Sequence, residues 1–255
     1  MLLVFDVGNT KTALGLHDGE RWLEDWRIST RPGRLADETA VLLAALMAGA
    51  GTAPAAIKGL AAASVVPAMT EVLRDLAARH YESPLFVLDH ASVRGIRLAV
   101  DTPEETGPDR IANTVAVHHH YPGGAIVLDA GTAITFDVIS ADGEYRGGAI
   151  APGLGVAAEA LVRKTARLPR VELLPPKRVI GAHTVAALRS GLVLGWTGLV
   201  REMVRMIQEE LGGGYPVIAT GGLAARVAEW TGVVDIVDER LTLEGVRIAW
   251  NRSRG

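Results

Sequence analysis

Cysteine is absent from all 255 residues, which excludes disulfides, thiolate metal sites and cysteine nucleophiles together. Lysine is nearly as scarce, 4 residues against 22 arginines, and no basic stripe or helix-turn-helix pattern gathers the positive charge. With a net charge of only −3, no nucleic-acid partner is expected. No apolar run reaches membrane-spanning length without a charge or a turn. Asp6 interrupts the first apolar residues too early for a secretory leader, so the expectation is a cytoplasmic protein with no membrane partner. Low-complexity tracts and Gly/Ser-rich linkers are also missing, and the prolines of 169–176 read as a loop. What remains is 49% hydrophobic and 22% charged residues, an ordinary folded composition with enough chain for one large or two modest domains.

The most informative pattern is a repeat. Asp6-Val7-Gly8-Asn9-Thr10 follows the apolar run Leu2–Phe5, and Asp129-Ala130-Gly131-Thr132-Ala133 follows Ala125–Leu128. Each run reads as a buried strand that ends in a carboxylate. Each is followed by a second apolar stretch and then by Asp-Gly, at 18–19 and at 142–143, a strong hairpin signal. The copies start 123 residues apart, close to half the chain. Strand-like runs fall near 2–6, 11–17, 21–29, 58–63, 85–88, 124–128, 133–139, 144–150, 216–219 and 233–237. Helical patterns fall near 36–49, 68–80, 109–120, 154–163, 182–211 and 222–229. The glycines at 191, 195 and 198 make a break or a close helix contact plausible in the longest of these. The alternation predicts two similar α/β halves packed tightly.

Glycine-bearing turns after strands suggest phosphate binding, because backbone N–H groups in such turns form anion-binding concavities. A Walker loop is excluded, since no G-x-x-x-x-G-K-[ST] run exists and Gly8-Asn9-Thr10-Lys11-Thr12 lacks its spacing. Gly153-Leu154-Gly155-Val156-Ala157-Ala158 fits G-x-G-x-x-A, but Pro152 precedes it and the acidic residue expected in the next strand is missing. In the hairpin loops, Thr10, Thr12 and Thr132 add hydroxyl donors and Lys11 adds charge. A carboxylate beside phosphate is repulsive unless a cation intervenes, so Asp6 and Asp129 imply metal ions. Gly107-Pro108-Asp109-Arg110 reads on its own as a helix entry with an acidic first turn.

As an ordered set, Asp6-x-Gly8-Asn9-Thr10, Gly107-x-Asp109-Arg110, Asp129-x-Gly131-Thr132-Ala133-x-Thr135-x-Asp137, Gly147-Gly148-x-Ile150-x-Pro152-Gly153 and Thr220-Gly221-Gly222 resemble the signature of the type III pantothenate kinases. The resemblance runs from Met1 to about Leu243. It implies an α/β fold of the acetate kinase/sugar kinase/Hsp70/actin superfamily: two duplicated actin/ribonuclease H-like domains, here 1–115 and 116–255, with nucleotide bound in the cleft between them. It implies ATP-dependent phosphorylation of pantothenate, the first committed step toward coenzyme A.

The resemblance also implies roles. Asp6, Val7, Gly8, Asn9, Thr10, Lys11, Thr12 and Ala13 form the first phosphate loop, with Asp6 organising Mg²⁺. Gly131 and Thr132 form the second loop, and Asp129 ligates a monovalent cation, K⁺ or NH₄⁺. Gly221 and Gly222 lie on the adenosine side. Gly107, Pro108, Asp109, Arg110, Thr184 and Val100 line the pantothenate site, with Asp109 as proton acceptor. Many members are homodimers that complete this site with the second subunit; on their own, the small residues over 182–200 suit either a dimer-packing helix or a close contact within the chain.

Val100 stands where family members often carry an aromatic, usually Tyr, so it offers an apolar wall without a hydroxyl. His118-His119-His120 is not expected to bind metal, because consecutive helical residues diverge. Two other functions fit the scaffold: a non-catalytic regulatory or accessory protein, and a kinase for another small alcohol or sugar. The presence of Asp6, Asp109 and Asp129 favours the kinase over a regulator that has lost catalysis.

Overall fold

The computed structural model describes residues 1–255. In chain order the elements are β1 (Leu2–Val7), β2 (Lys11–His17), β3 (Trp22–Ser29), α1 (Ala36–Gly49), β4 (Gly59–Ser64), α2 (Pro67–Leu76), β5 (Leu85–Val87), β6 (Arg97–Leu98) and α3 (Pro108–His120). They continue with β7 (Gly124–Ala130), β8 (Ala133–Ser140), β9 (Glu144–Pro152), α4 (Leu154–Lys164), α5 (Thr184–Arg189), α6 (Gly195–Glu210), β10 (Val217–Thr220), α7 (Ala224–Thr231), β11 (Ile236–Val237) and α8 (Leu241–Arg254). No helix is long and apolar enough to cross a membrane. The chain forms two compact units. One comprises residues 1–122, 142–145 and 241–255; the other comprises 123–141 and 146–240.

The first unit carries a five-stranded sheet in the order β3-β2-β1-β4-β5. β1 is central, antiparallel to β2 and parallel to β4, which is why Leu2–Phe5 is apolar without interruption. Its side chains alternate between two cores, as the period of two requires. Leu3, Phe5 and Val7 join α1 and α2 through Leu43, Met47 and Leu73. Leu2 and Val4 join α3 and α8 through Ile111, Val115 and Val246. Asp6 continues the second parity, so it belongs to the face that carries α3. Asp18 closes the β2–β3 turn, its Oδ1 accepting the N–H groups of Glu20 at 2.8 Å and Arg21 at 2.9 Å, a side-chain-stabilised turn that fixes the hairpin.

α3 and α8 pack so closely that a Cβ on Gly245 would run into the carbonyl of Ala112. Glu244 on α8 is the polar anchor of this layer. It accepts Trp22 Nε1–H at 2.9 Å and both arms of Arg247, and His120 Nε2 lies 3.0 Å from its Oε1. Burial alone would raise its pKa, but the hydrogen bonds from Arg247, His120 and Trp22 outweigh burial and hold it at about 2, down from 4.5. The linkage follows directly: stability from Glu244 is present above pH 4.5 and is lost as pH falls toward 2. Glu244→Gln is therefore expected to cost on the order of 3 kcal/mol at neutral pH. That corresponds to roughly 6–12 °C in melting temperature, and the gap to the wild type should close on acidification. Equal loss at every pH in a thermal-unfolding series would refute this. Of the neighbouring histidines, His118 lies against Gly143, whereas the rings of His119 and His120 meet edge-on with centroids 4.6 Å apart.

In the second unit the strands run β11-β10-β7-β8-β9. β7 and β8 form the second hairpin, in register Leu128↔Phe136 and Asp129↔Thr135. Ile126, Leu128, Ala130, Ile134 and Phe136 face a core built with Trp196, Val200 and Val204 of α6 and Val227 of α7. Asp129, Thr135 and Asp137 therefore share the opposite face of the sheet. The long helical segment over 182–211 is interrupted, as the glycines suggested: α5 and α6 are joined by a single π turn at Ser190–Leu194.

Candidate active site

Each unit presents its phosphate-loop candidate at the end of its first strand. In the first unit, Gly8 N–H donates to the Lys11 carbonyl at 3.0 Å, and Thr30 N–H donates to the Thr10 carbonyl at 3.0 Å. Thr30 Oγ1 donates to the Gly8 carbonyl at 2.7 Å and lies 2.9 Å from Thr12 Oγ1. A hydroxyl has one proton, so Thr12 donates to Thr30 and Thr30 to Gly8. Thr12 is buried and braces the loop from behind, whereas Asn9, Thr10 and Lys11 are exposed at the tip. Val7 is core and Ala13 pairs with Asp6 across the hairpin. Thr30 was not among the sequence candidates, because the bond that matters is 22 residues distant and leaves no local pattern.

In the second unit, Gly131 N–H donates to the Ala133 carbonyl at 2.9 Å, and Gly153 N–H donates to the Thr132 carbonyl at 3.1 Å. A Cβ on Gly153 would strike the carbonyl of Thr132 and lie 2.6 Å from that of Gly131. Gly153 thus supports the loop and caps α4, a close-approach role in place of the dinucleotide fingerprint its spacing mimics. Thr220 pairs with Asp129 across β10 and β7. Gly221 then turns at φ +87°, and a Cβ there would sit 2.5 Å from Asp129 Oδ1 and 2.9 Å from Ala130 N. Asp129, Gly131 and Gly221 are brought into one cradle, with Gly222 in open space beside it.

The pantothenate-side candidates open α3. Gly107 is the residue before the helix, Pro108 fills its first position and Asp109 lies in its first turn, an arrangement favoured by the missing proline N–H and the helix dipole. Asp109 Oδ1 accepts Arg110 N–H at 2.9 Å. A Cβ on Gly107 would lie 2.5 Å from that oxygen, so the glycine leaves room for the carboxylate in this position. The protein packed around Asp109 raises its pKa, and this desolvation exceeds the opposing pull of the Arg110 N–H and guanidinium. A carboxylate shifted upward is a stronger base for an alcohol proton.

Thr184 opens α5 in the second unit, exposed on a groove of about 530 Å³ with Leu161, Leu168 and Leu192. Val100 follows β6, whose next residue, Ala99, donates its N–H to the Tyr145 carbonyl at 2.8 Å. No cluster of three or more His, Asp or Glu side chains is arranged to hold a metal by itself. Asp6 and Asp129 each offer a single carboxylate, so a cation held there would take most of its ligands from phosphate oxygens, backbone and water.

The family model for type III pantothenate kinase matches residues 2–206. A type III pantothenate kinase of Roseiflexus sp. (strain RS-1) is 46% identical over 254 residues, covering 100% of both chains. One from Anaeromyxobacter sp. (strain K) is 44% identical over 255 residues, again covering 100% of both. Among solved structures, the activator of the 2-hydroxyisocaproyl-CoA dehydratase from Clostridium difficile, with bound ADPNP, superposes with a TM-score of 0.57 at 14% identity over 99% of this chain and 95% of that one. The inorganic polyphosphate/ATP-glucomannokinase of Arthrobacter sp. strain KM gives 0.53 at 17% identity over 98% of each. These structural likenesses show the α/β fold that the chain shares with those proteins. With the family model spanning most of the chain and relatives matched end to end, the chain belongs to the type III pantothenate kinase family.

Proposed function

We propose that this chain transfers the γ-phosphoryl group of ATP to the 4′-hydroxyl of pantothenate, giving 4′-phosphopantothenate and ADP at the entry to coenzyme A synthesis. The observation that carries the reading is the Gly107–Arg110 turn, where a glycine makes room for a carboxylate with a raised pKa beside a fixed arginine. Asp109 accepts the hydroxyl proton as the new P–O bond forms and the bond to the ADP oxygen breaks. Phosphoryl transfer asks the protein chiefly for positioning and charge compensation, so one carboxylate and two loops of backbone donors suffice. Arg110 reaches an anionic oxygen of the substrate. The exposed tip at Asn9–Lys11 and the Gly131–Thr132 turn hold the phosphates, and Gly221 and Gly222 let the nucleoside lie against backbone. Mg²⁺ at Asp6 and K⁺ or NH₄⁺ at Asp129 neutralise phosphate charge when bound.

The cytoplasm is the compartment that fits a cysteine-free biosynthetic enzyme. A second copy of the chain is the occupant we assign to the apolar groove at Leu161, Leu168, Leu188 and Leu192, whose rim carries Thr184. Incubating the protein with ATP, Mg²⁺, K⁺ and a panel of small alcohols and sugars, then reading products by mass spectrometry, is expected to show one phosphoryl group added to pantothenate in preference to the others. A sugar or another alcohol phosphorylated in its place would overturn the reading.

A further inference from the structure

Arg110 is held by more than its place on α3. Its guanidinium carbon lies 5.4 Å from the centroid of the Tyr145 ring, within the range of a cation–π contact. Tyr145 is 2% exposed, so its ring is a fixed wall. It comes from a separate part of the chain, the first residues of β9, which belong to the first unit with α3. Two further contacts fix the backbone of that wall. Leu98 of β6 pairs with Tyr145 in register, and Ala99 N–H donates to the Tyr145 carbonyl at 2.8 Å. Val100 lies two residues beyond this two-residue bridge. At the other end, Thr114 Oγ1 donates to the Arg110 carbonyl at 2.9 Å, which ties the arginine backbone into the helix.

We propose that Tyr145 is a positioning residue for substrate recognition: its ring fixes the plane of the Arg110 guanidinium, so that the arginine's two-pronged face is preset for an anionic group of the acceptor substrate. This deepens the reading of Gly107–Arg110 as the pantothenate contact and rests on it. An arginine side chain carries considerable rotamer freedom, and a flat partner removes part of it before the substrate arrives. The ring acts through Arg110 and touches no reacting atom, so its loss should weaken the affinity for the acceptor and spare the ATP side.

The test compares Tyr145→Phe, Tyr145→Leu and Tyr145→Met in the full-length protein, each first shown folded by thermal unfolding. Tyr145→Phe keeps the ring and should keep the pantothenate KM of the wild type. Tyr145→Leu and Tyr145→Met should raise that KM by about 2- to 30-fold, the range of a cation–π contact, with the KM for ATP unchanged and kcat little affected. The methionine variant fills a similar volume without a ring, so it carries the test if the leucine variant does not fold. In an Arg110→Ala background the ring substitutions should have no further effect on KM.

An unchanged KM in the ring-less variants, a phenylalanine variant as impaired as they are, or effects that add to that of Arg110→Ala would overturn the proposal. A wild type that shows no pantothenate-dependent turnover would fail earlier, sinking the reading of the Gly107–Arg110 contact and this proposal with it. A wild type that turns over pantothenate while Tyr145→Leu and Tyr145→Met keep its KM would sink the role of Tyr145 alone.

Discussion

Asp109→Asn is expected to lower kcat by about 10²- to 10⁴-fold, the usual loss for a removed general base, while ATP binding stays near that of the wild type. The substitution is nearly isosteric, and the Arg110 N–H still finds an oxygen acceptor at the position of Oδ1. What disappears is the capacity to accept the proton of the hydroxyl. Desolvation raises the Asp109 pKa from 3.8, so the acidic limb of kcat/KM should fall above the ordinary aspartate range, activity being lost as Asp109 is protonated. The sign for folding is opposite to that of Glu244. An upward-shifted acid binds more protons folded than unfolded, so stability from Asp109 declines as pH rises from 3.8 toward the folded value. The asparagine variant should therefore lack that decline. A steady-state pH profile checks both points, and near-wild-type turnover in Asp109→Asn would remove the residue from its role.

Gly221→Val should impair the nucleotide side, by less than Asp109→Asn lowers turnover. Two independent constraints meet at Gly221. Its backbone sits at φ +87°, which a β-branched residue rarely adopts, and its Cβ would enter the space of Asp129 Oδ1 and the backbone of Ala130. Such strain is of order 1–3 kcal/mol. The cheapest relief is to shift the second loop, because β10 is tied to β7 by the Thr220–Asp129 pair and Leu223 N–H donates to the Ala130 carbonyl at 3.1 Å. The KM for ATP should rise by roughly 5- to 150-fold, the same strain expressed as an affinity, while the KM for pantothenate changes little. An ATP KM unchanged in Gly221→Val would contradict the cradle described for Asp129.

Much of this architecture can be read from local chemistry. Continuous apolar strands ending in Asp, glycine at the following turn and Asp-Gly twelve or thirteen residues on require only near neighbours, and both hairpins form where that pattern lies. Gly107-Pro108-Asp109 likewise reads as a helix entry because proline and an acid suit a first turn. The supports of the site depend on contacts far apart in sequence. Thr30 braces Gly8, Gly153 abuts Thr132, and Tyr145 lies under Arg110, and in each case the partner is set by strand register instead of spacing. The last helix was missed for a related reason. Thr242, Glu244, Gly245 and Arg247 interrupt any apolar stripe over 241–254, yet the helix buries one face because Glu244 is satisfied by Arg247, His120 and Trp22 and because Gly245 admits Ala112. Its charges are hidden by partners that only the fold supplies.

The most direct test of the central claim is a coupled assay of ADP release by the purified protein with ATP, Mg²⁺ and K⁺, run with and without pantothenate. The account predicts little ADP without the acceptor, saturable release when pantothenate is added, and loss of that release in Asp109→Asn. ADP release that is indifferent to pantothenate, or that survives intact in Asp109→Asn, would contradict it.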